Sequence, residues 1–296
     1  HIESSAIVNP LCVTKSNKIA DAAGYSGTEA VRHFNAVLAR MKRRTRFIPW
    51  RETGAYATEL AASLEDLKAG VSDPRTGVVL LASFFRSDSK IFEACDDSGG
   101  NVGQVFTFDA CDLFVHYASK CDDKVWLGDL LLDLQHGNDY GVRDCLLKVA
   151  GKFLPEPQMR SLVDRLWNLS NAETNIHEKR SWLFAVESLA RQLYDAPLFE
   201  RAITASCEGM LGVAACLDIA EVYLESGDAP TALAWVSRVP PHESFQAGRQ
   251  DNLLLTIHSN LGNKRESAES AWRINRSCRH EETIKLLLQN IGPHDR

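Results

Sequence analysis

The sequence predicts an all-α chain, and three observations carry the prediction. Apolar residues recur at helical spacing along nearly the whole length, convincing apolar–polar alternation is absent, and the short breaks between stripes hold capping residues and glycines. The clearest stripe is Trp182, Leu183, Val186, Leu189, Ala190 and Leu193, one broad face of an amphipathic helix.

Taken in order, the basic stretch from Arg40 reads as a helix ending near Thr45. Arg46 to Trp50 follows as an extended connector held by Pro49. Asp73-Pro74 places a capping residue before a proline at a first helical position. Val78 to Leu81 would suit a buried strand, but the apolar pattern continues to Ile91 and Phe92, so a helix is expected. Cys95 to Asn101 is irregular. Helical stripes follow at Phe106/Ala110/Leu113/Tyr117, Leu127/Leu130/Leu131/Leu134, Val142/Leu146/Val149/Phe153 and Met159/Leu162/Leu166/Leu169. Trp167, Trp182, Trp235 and Trp272 fall within stripes and are expected in the core, whereas Trp50 lies in the connector.

Gly227-Asp228 and Gly262-Asn263 each pair a glycine suited to a helix C-terminus with an N-cap for the next helix. They stand 35 residues apart, close to the ~34-residue tetratricopeptide (TPR) unit. Lys68-Ala69-Gly70 before Asp73-Pro74 resembles the same turn. The expected architecture is an α-solenoid of antiparallel helix pairs, TPR-like with irregular repeats and clearest over 212–275. Residues 1–27 form a poorly patterned N-terminal segment, and 28–296 a single array without a linker composition.

No apolar run approaches the ~18 residues of a membrane span. The eight cysteines are scattered without a CxxC pair, which suits free thiols in a reducing cytoplasm. The His-Ile start, with no basic or apolar leader pattern, reads as a tag remnant or truncated start and not as a secretory signal. Charge is uneven: residues 1–51 hold nine Lys/Arg against three Asp/Glu, and the remainder 24 against 36.

Several stretches resemble a known family. Phe47-Ile48-Pro49-Trp50-Arg51, Ala55 to Leu67, Asp96 to Gly103, Asn138-Asp139-Tyr140-Gly141-Val142, Tyr223 to Asp228 and Ala271-Trp272-Arg273 are similar to the bacterial DUF6880 family of unknown function. The likeness runs over most of 28–290. It implies a helical-repeat fold and cytoplasmic residence in bacteria, with no established activity. Some members carry an upstream SWIM-type zinc finger, whose Cys-x-Cys and Cys-x-His arrangement this chain lacks.

The strongest electrostatic feature is Arg40, Lys42, Arg43, Arg44, Arg46 and Arg51. It is open to two readings, phosphate contacts to a nucleic acid or cations placed at a helix C-terminus. Asp96-Asp97-Ser98-Gly99-Gly100 offers two adjacent carboxylates, with Asp139 and Tyr140 as companions. Its order does not match an EF-hand, and an acidic cap ahead of a helix starting near Val102 is the structural alternative. Cys111, His116 and Cys121, five residues apart, diverge around a helix and make no metal site. No catalytic motif is found, and no cofactor is expected.

The reading favoured by the sequence is a non-enzymatic protein-interaction scaffold that holds a protein or peptide partner on residues including Arg43, Arg44, Arg46, Arg51, Asp96, Asp97, Asp139 and Tyr140. The alternative is a nucleic-acid-associated accessory module using the basic 40–51 segment.

Overall fold

A computed structural model describes residues 29–240 and 244–291. The expected N-terminal segment 1–27 lies outside the described residues. These are all-helical with no strand, and they divide into two compact units, one ending at Gln158 and the other beginning at Met159. Among them, no helix is long and apolar enough to cross a membrane.

The first unit contains α1 (Glu29–Lys42), α2 (Trp50–Gly70), α3 (Pro74–Phe85), α4 (Asp88–Glu93), α5 (Asn101–Gln104), α6 (Cys111–Lys120), α7 (Lys124–Gln135) and α8 (Asp144–Lys148). Helix α3 is its centre. Val78 to Ala82, Phe84 and Phe85 are all buried, as expected of a helix that is apolar all round. Asp73 caps it by accepting from the Thr76 N–H at 2.7 Å. Phe34, Phe84, Phe85, Phe106 and Phe114 fill the core, with Phe84 and Phe106 centroids 4.6 Å apart.

Three sequence expectations need correction here. The run from 77 to 92 is two helices, broken at Arg86-Ser87, with the Ser87 hydroxyl bonded to the Phe84 carbonyl. The 142–153 stripe forms only α8 and a 3₁₀ turn over Ala150–Lys152. Gly70 is not a left-handed C-terminal residue. A Cβ there would stand 2.2 Å from the Ala30 Cβ, so its absence lets α2 approach α1. The 106–117 stripe is helical but opens with a π turn over Val105–Ala110.

Helix α9 (Glu156–Ala172) leads into the second unit, followed by α10 (Ile176–Gln192), α11 (Ala196–Ser206), α12 (Val213–Glu225), α13 (Ala229–Val236), α14 (Ala247–Leu261), α15 (Lys264–Ser277) and α16 (Glu281–Asn290). From α10 onward each helix packs on its chain neighbours, and α12 also touches α14. The same turn joins α10 to α11, α12 to α13 and α14 to α15. Tyr194, Gly227 and Gly262 have φ of 53°, 89° and 74°. The following N–H groups of Asp195, Asp228 and Asn263 return to the carbonyls of Ala190, Tyr223 and His258 at 2.9–3.0 Å. Asp195 and Asp228 then cap the next helix through Leu198 and Thr231. Trp182 and Trp235 are buried as expected, but Trp272 is 38% exposed.

Candidate functional site

The connector and the acidic loop, far apart in sequence, are joined by backbone. The Ile48 N–H donates to the Ala94 carbonyl at 2.8 Å, and the Asp96 N–H donates to the Ile48 carbonyl at 2.9 Å. Ile48 plugs the core, while Phe47 and Trp50 remain more than half exposed. Trp50 lies over the loop, its Nε1 3.3 Å from where a Gly99 Cβ would sit. Tyr140 stacks on Phe92 of α4 at 4.8 Å, and Asp139 is exposed beside it.

Within this region the charges serve one another. Arg46 makes a forked pair with Glu52 at 2.8 and 3.0 Å. Arg44 lies 3.6 Å from Glu59 and 4.9 Å over the Tyr56 ring, and Arg40 also bonds Glu59. Arg43 returns to the Ala39 carbonyl at 3.0 Å, satisfying a carbonyl at the end of α1. Arg51 is exposed. Glu52 and Glu59 therefore interleave the basic run with opposite charge. Asp97 accepts from the N–H groups of Val102 and Gly103, both at 2.8 Å, and so caps α5. Asp96 closes a turn on Ser98, whose side-chain and backbone hydrogen bonds lower its pKa.

The second unit holds a denser constellation that sequence reasoning missed. Arg191 of α10 reaches Glu221 and Glu225 of α12, both at 3.3 Å. Arg249 of α14 reaches Asp218 at 2.6 Å and Glu221 at 2.8 Å. The first helices of successive hairpins are thus stitched by charge, with Glu221 shared between two guanidiniums. Glu187, one turn before Arg191, has no such partner: its Oε1 is sealed from solvent without a hydrogen bond. Burial, then the nearby charge of Asp218, raises its pKa to about 7. The available signal was the turn period. Glu187 and Glu221 stand 34 residues apart, as do Arg191 and Glu225, close to the 33 and 35 residues between successive turns, but no contiguous motif announces them.

In two clefts elsewhere in this unit, lining groups pair with one another. One of 720 Å³ is lined by Arg160, Trp167, Asp195 and Arg201. There Arg160 pairs with Asp195 at 3.0 Å, and Arg201 stacks 3.9 Å over Trp167. In an adjoining cleft, Tyr223 donates to Glu200 at 2.7 Å. Burial first, then that bond, pushes the phenol up to about 12, away from the range of a general base. Among the described residues no group of three or more His, Cys, Asp or Glu is placed to hold a metal ion.

One family description matches the chain over residues 15–291: a family of unknown function, DUF6880. No curated protein and no solved structure matches it.

Proposed function

We propose that this chain, which belongs to that family of unknown function, is a non-enzymatic protein-interaction scaffold. In this reading the second unit is an irregular, TPR-like α-solenoid, and a partner segment lies across α10, α12 and α14. The observation that carries it is the recurring turn at Tyr194, Gly227 and Gly262, which returns the chain to the same register. It sets the first helix of each hairpin beside the next, with charged side chains crossing between them. Further support comes from the clefts, where ionisable groups are paired with one another and not held ready for proton transfer.

A photo-crosslinking residue at Asn252, on the Arg249 side of α14, tests the reading against one at Ala234 on α13; both positions are exposed. The expected result in cells is a discrete protein adduct from Asn252 and none from Ala234. Equal adducts from both positions, or none from Asn252, would overturn it.

A further inference from the structure

We propose that the outer face of α16 is a self-association surface, on which α16 of a second copy of this chain lies antiparallel and presents its first turn to the cleft beside α15. The inference goes beyond the scaffold reading and does not depend on it.

Packing order is the first ground. Helix α12 touches α11 and α13, and α14 touches α13 and α15, so each lies between two second helices. Helix α16 packs on α15 in the same way, and α15 is its principal neighbour among the described residues. An open cleft of 860 Å³ runs between the start of α15 and the end of α16, lined by Lys264, Arg265, Ala268, Trp272 and Ile291. The outermost helix of a repeat array needs a polar outer face to stay soluble alone. Helix α16 breaks that rule along one stripe. Ile284 and Leu288 are 46% and 42% exposed. With Ile291 they fall at i, i+4 and i+7, a stripe that runs into the cleft.

Charge complementarity selects the occupant. Glu281 and Glu282 share Lys285, at 2.7 and 3.3 Å, so the first turn of α16 keeps a net negative charge. The cleft is the reverse. Lys264 and Arg265 stand at its rim against Glu269 alone, which Arg265 already engages at 3.1 Å. Glu281 precedes Ile284 and Leu288 by three and seven residues and shares their face. An antiparallel, two-fold packing of α16 on α16 sets Ile284 of each copy against Leu288 of the other. It also carries each acidic first turn to the other copy's α16 C-terminus, beside Lys264 and Arg265. The same patch thus serves both copies, as an isologous interface requires.

Sedimentation velocity of the full chain from about 1 to 100 µM tests this, with the Kd read from the monomer–dimer isotherm. The wild type is expected to pass from monomer to dimer in that range. Leu288→Glu, at an exposed position and verified as folded by circular dichroism, raises the Kd at least about tenfold. E281K with E282K does the same, as does K264E with R265E, because each places like charges across both symmetric contacts. Mixed in equal amounts, the two folded charge variants recover the wild-type Kd within about threefold, since each supplies the charge the other reversed. A wild type that stays monomeric throughout, L288E that dimerises unchanged, or charge variants that remain monomeric when mixed would each overturn the inference.

Discussion

Gly77 and Tyr117 show how single side chains fix the first unit. The Tyr117 hydroxyl donates to the Val71 carbonyl at 2.8 Å, locking its buried ring against α3. A Cβ at Gly77 would meet that ring at 2.4–2.6 Å. Gly77→Ala is therefore expected to lower stability by roughly 1–3 kcal/mol, read by denaturant titration. Arg143 makes a deeper commitment. It grips buried Asp88 at 2.6 and 2.8 Å and donates to the carbonyls of Leu134 and His136. Arg143→Met should cost about 3–5 kcal/mol, because Asp88 is left buried and unpaired; adding Asp88→Leu should restore part of the loss. Glu187 contributes with the opposite sign. Its folded pKa near 7 lies above the ordinary 4.5, so it costs nothing while protonated in both states. The cost grows as pH rises through the folded value. Glu187→Gln should raise the melting temperature at alkaline pH and leave it unchanged in acid. Residue identities gave Asp73 its cap in advance, but the Asp88–Arg143 and Glu187–Asp218 relations depend on three-dimensional approach and leave no local trace.

Among the elements, the three hairpin turns are the informative comparison. Two were legible because glycine is the residue that adopts positive φ without strain. The third was hidden, since Tyr194 takes the same conformation with φ of 53°, and only the shared Asp195-Ala196-Pro197 and Asp228-Ala229-Pro230 hints at kinship. Because the Tyr194 side chain is 68% exposed, Tyr194→Gly should relieve strain and stabilise the chain by roughly 1 kcal/mol. Gly227→Ala, in the same turn, should destabilise by a similar amount. Opposite signs at matching positions would verify their equivalence by calorimetry. Helical periodicity located most elements because it is a local property. It overran at Arg86-Ser87 and at 149–153, where the apolar pattern continues although the backbone hydrogen bonds tighten from four-residue to three-residue spacing, as from Ser87 to Phe84 and from Lys152 to Val149.

For the molecule as a whole, helical periodicity correctly indicated the all-helical fold of the described residues but not the division after Gln158. That boundary falls within the first turn of α9, with no glycine-, serine- or charge-rich stretch to mark it. The basic run from Arg40 to Arg51 suggested an exposed cationic surface, yet Glu52 and Glu59 of α2 pair with Arg40, Arg44 and Arg46. The less conspicuous charges of α10, α12 and α14 also cross from helix to helix, and they link three helices in succession. A scaffold using that face should respond to its partner in a graded pattern, since ordering falls on the helices that are touched. Hydrogen exchange of the full chain, with and without the protein captured at Asn252, tests this most directly. The account predicts slowed exchange in α10, α12 and α14, with α11 and α13 unchanged. Protection confined to α11 and α13, or to the Arg46–Pro49 connector, would contradict it.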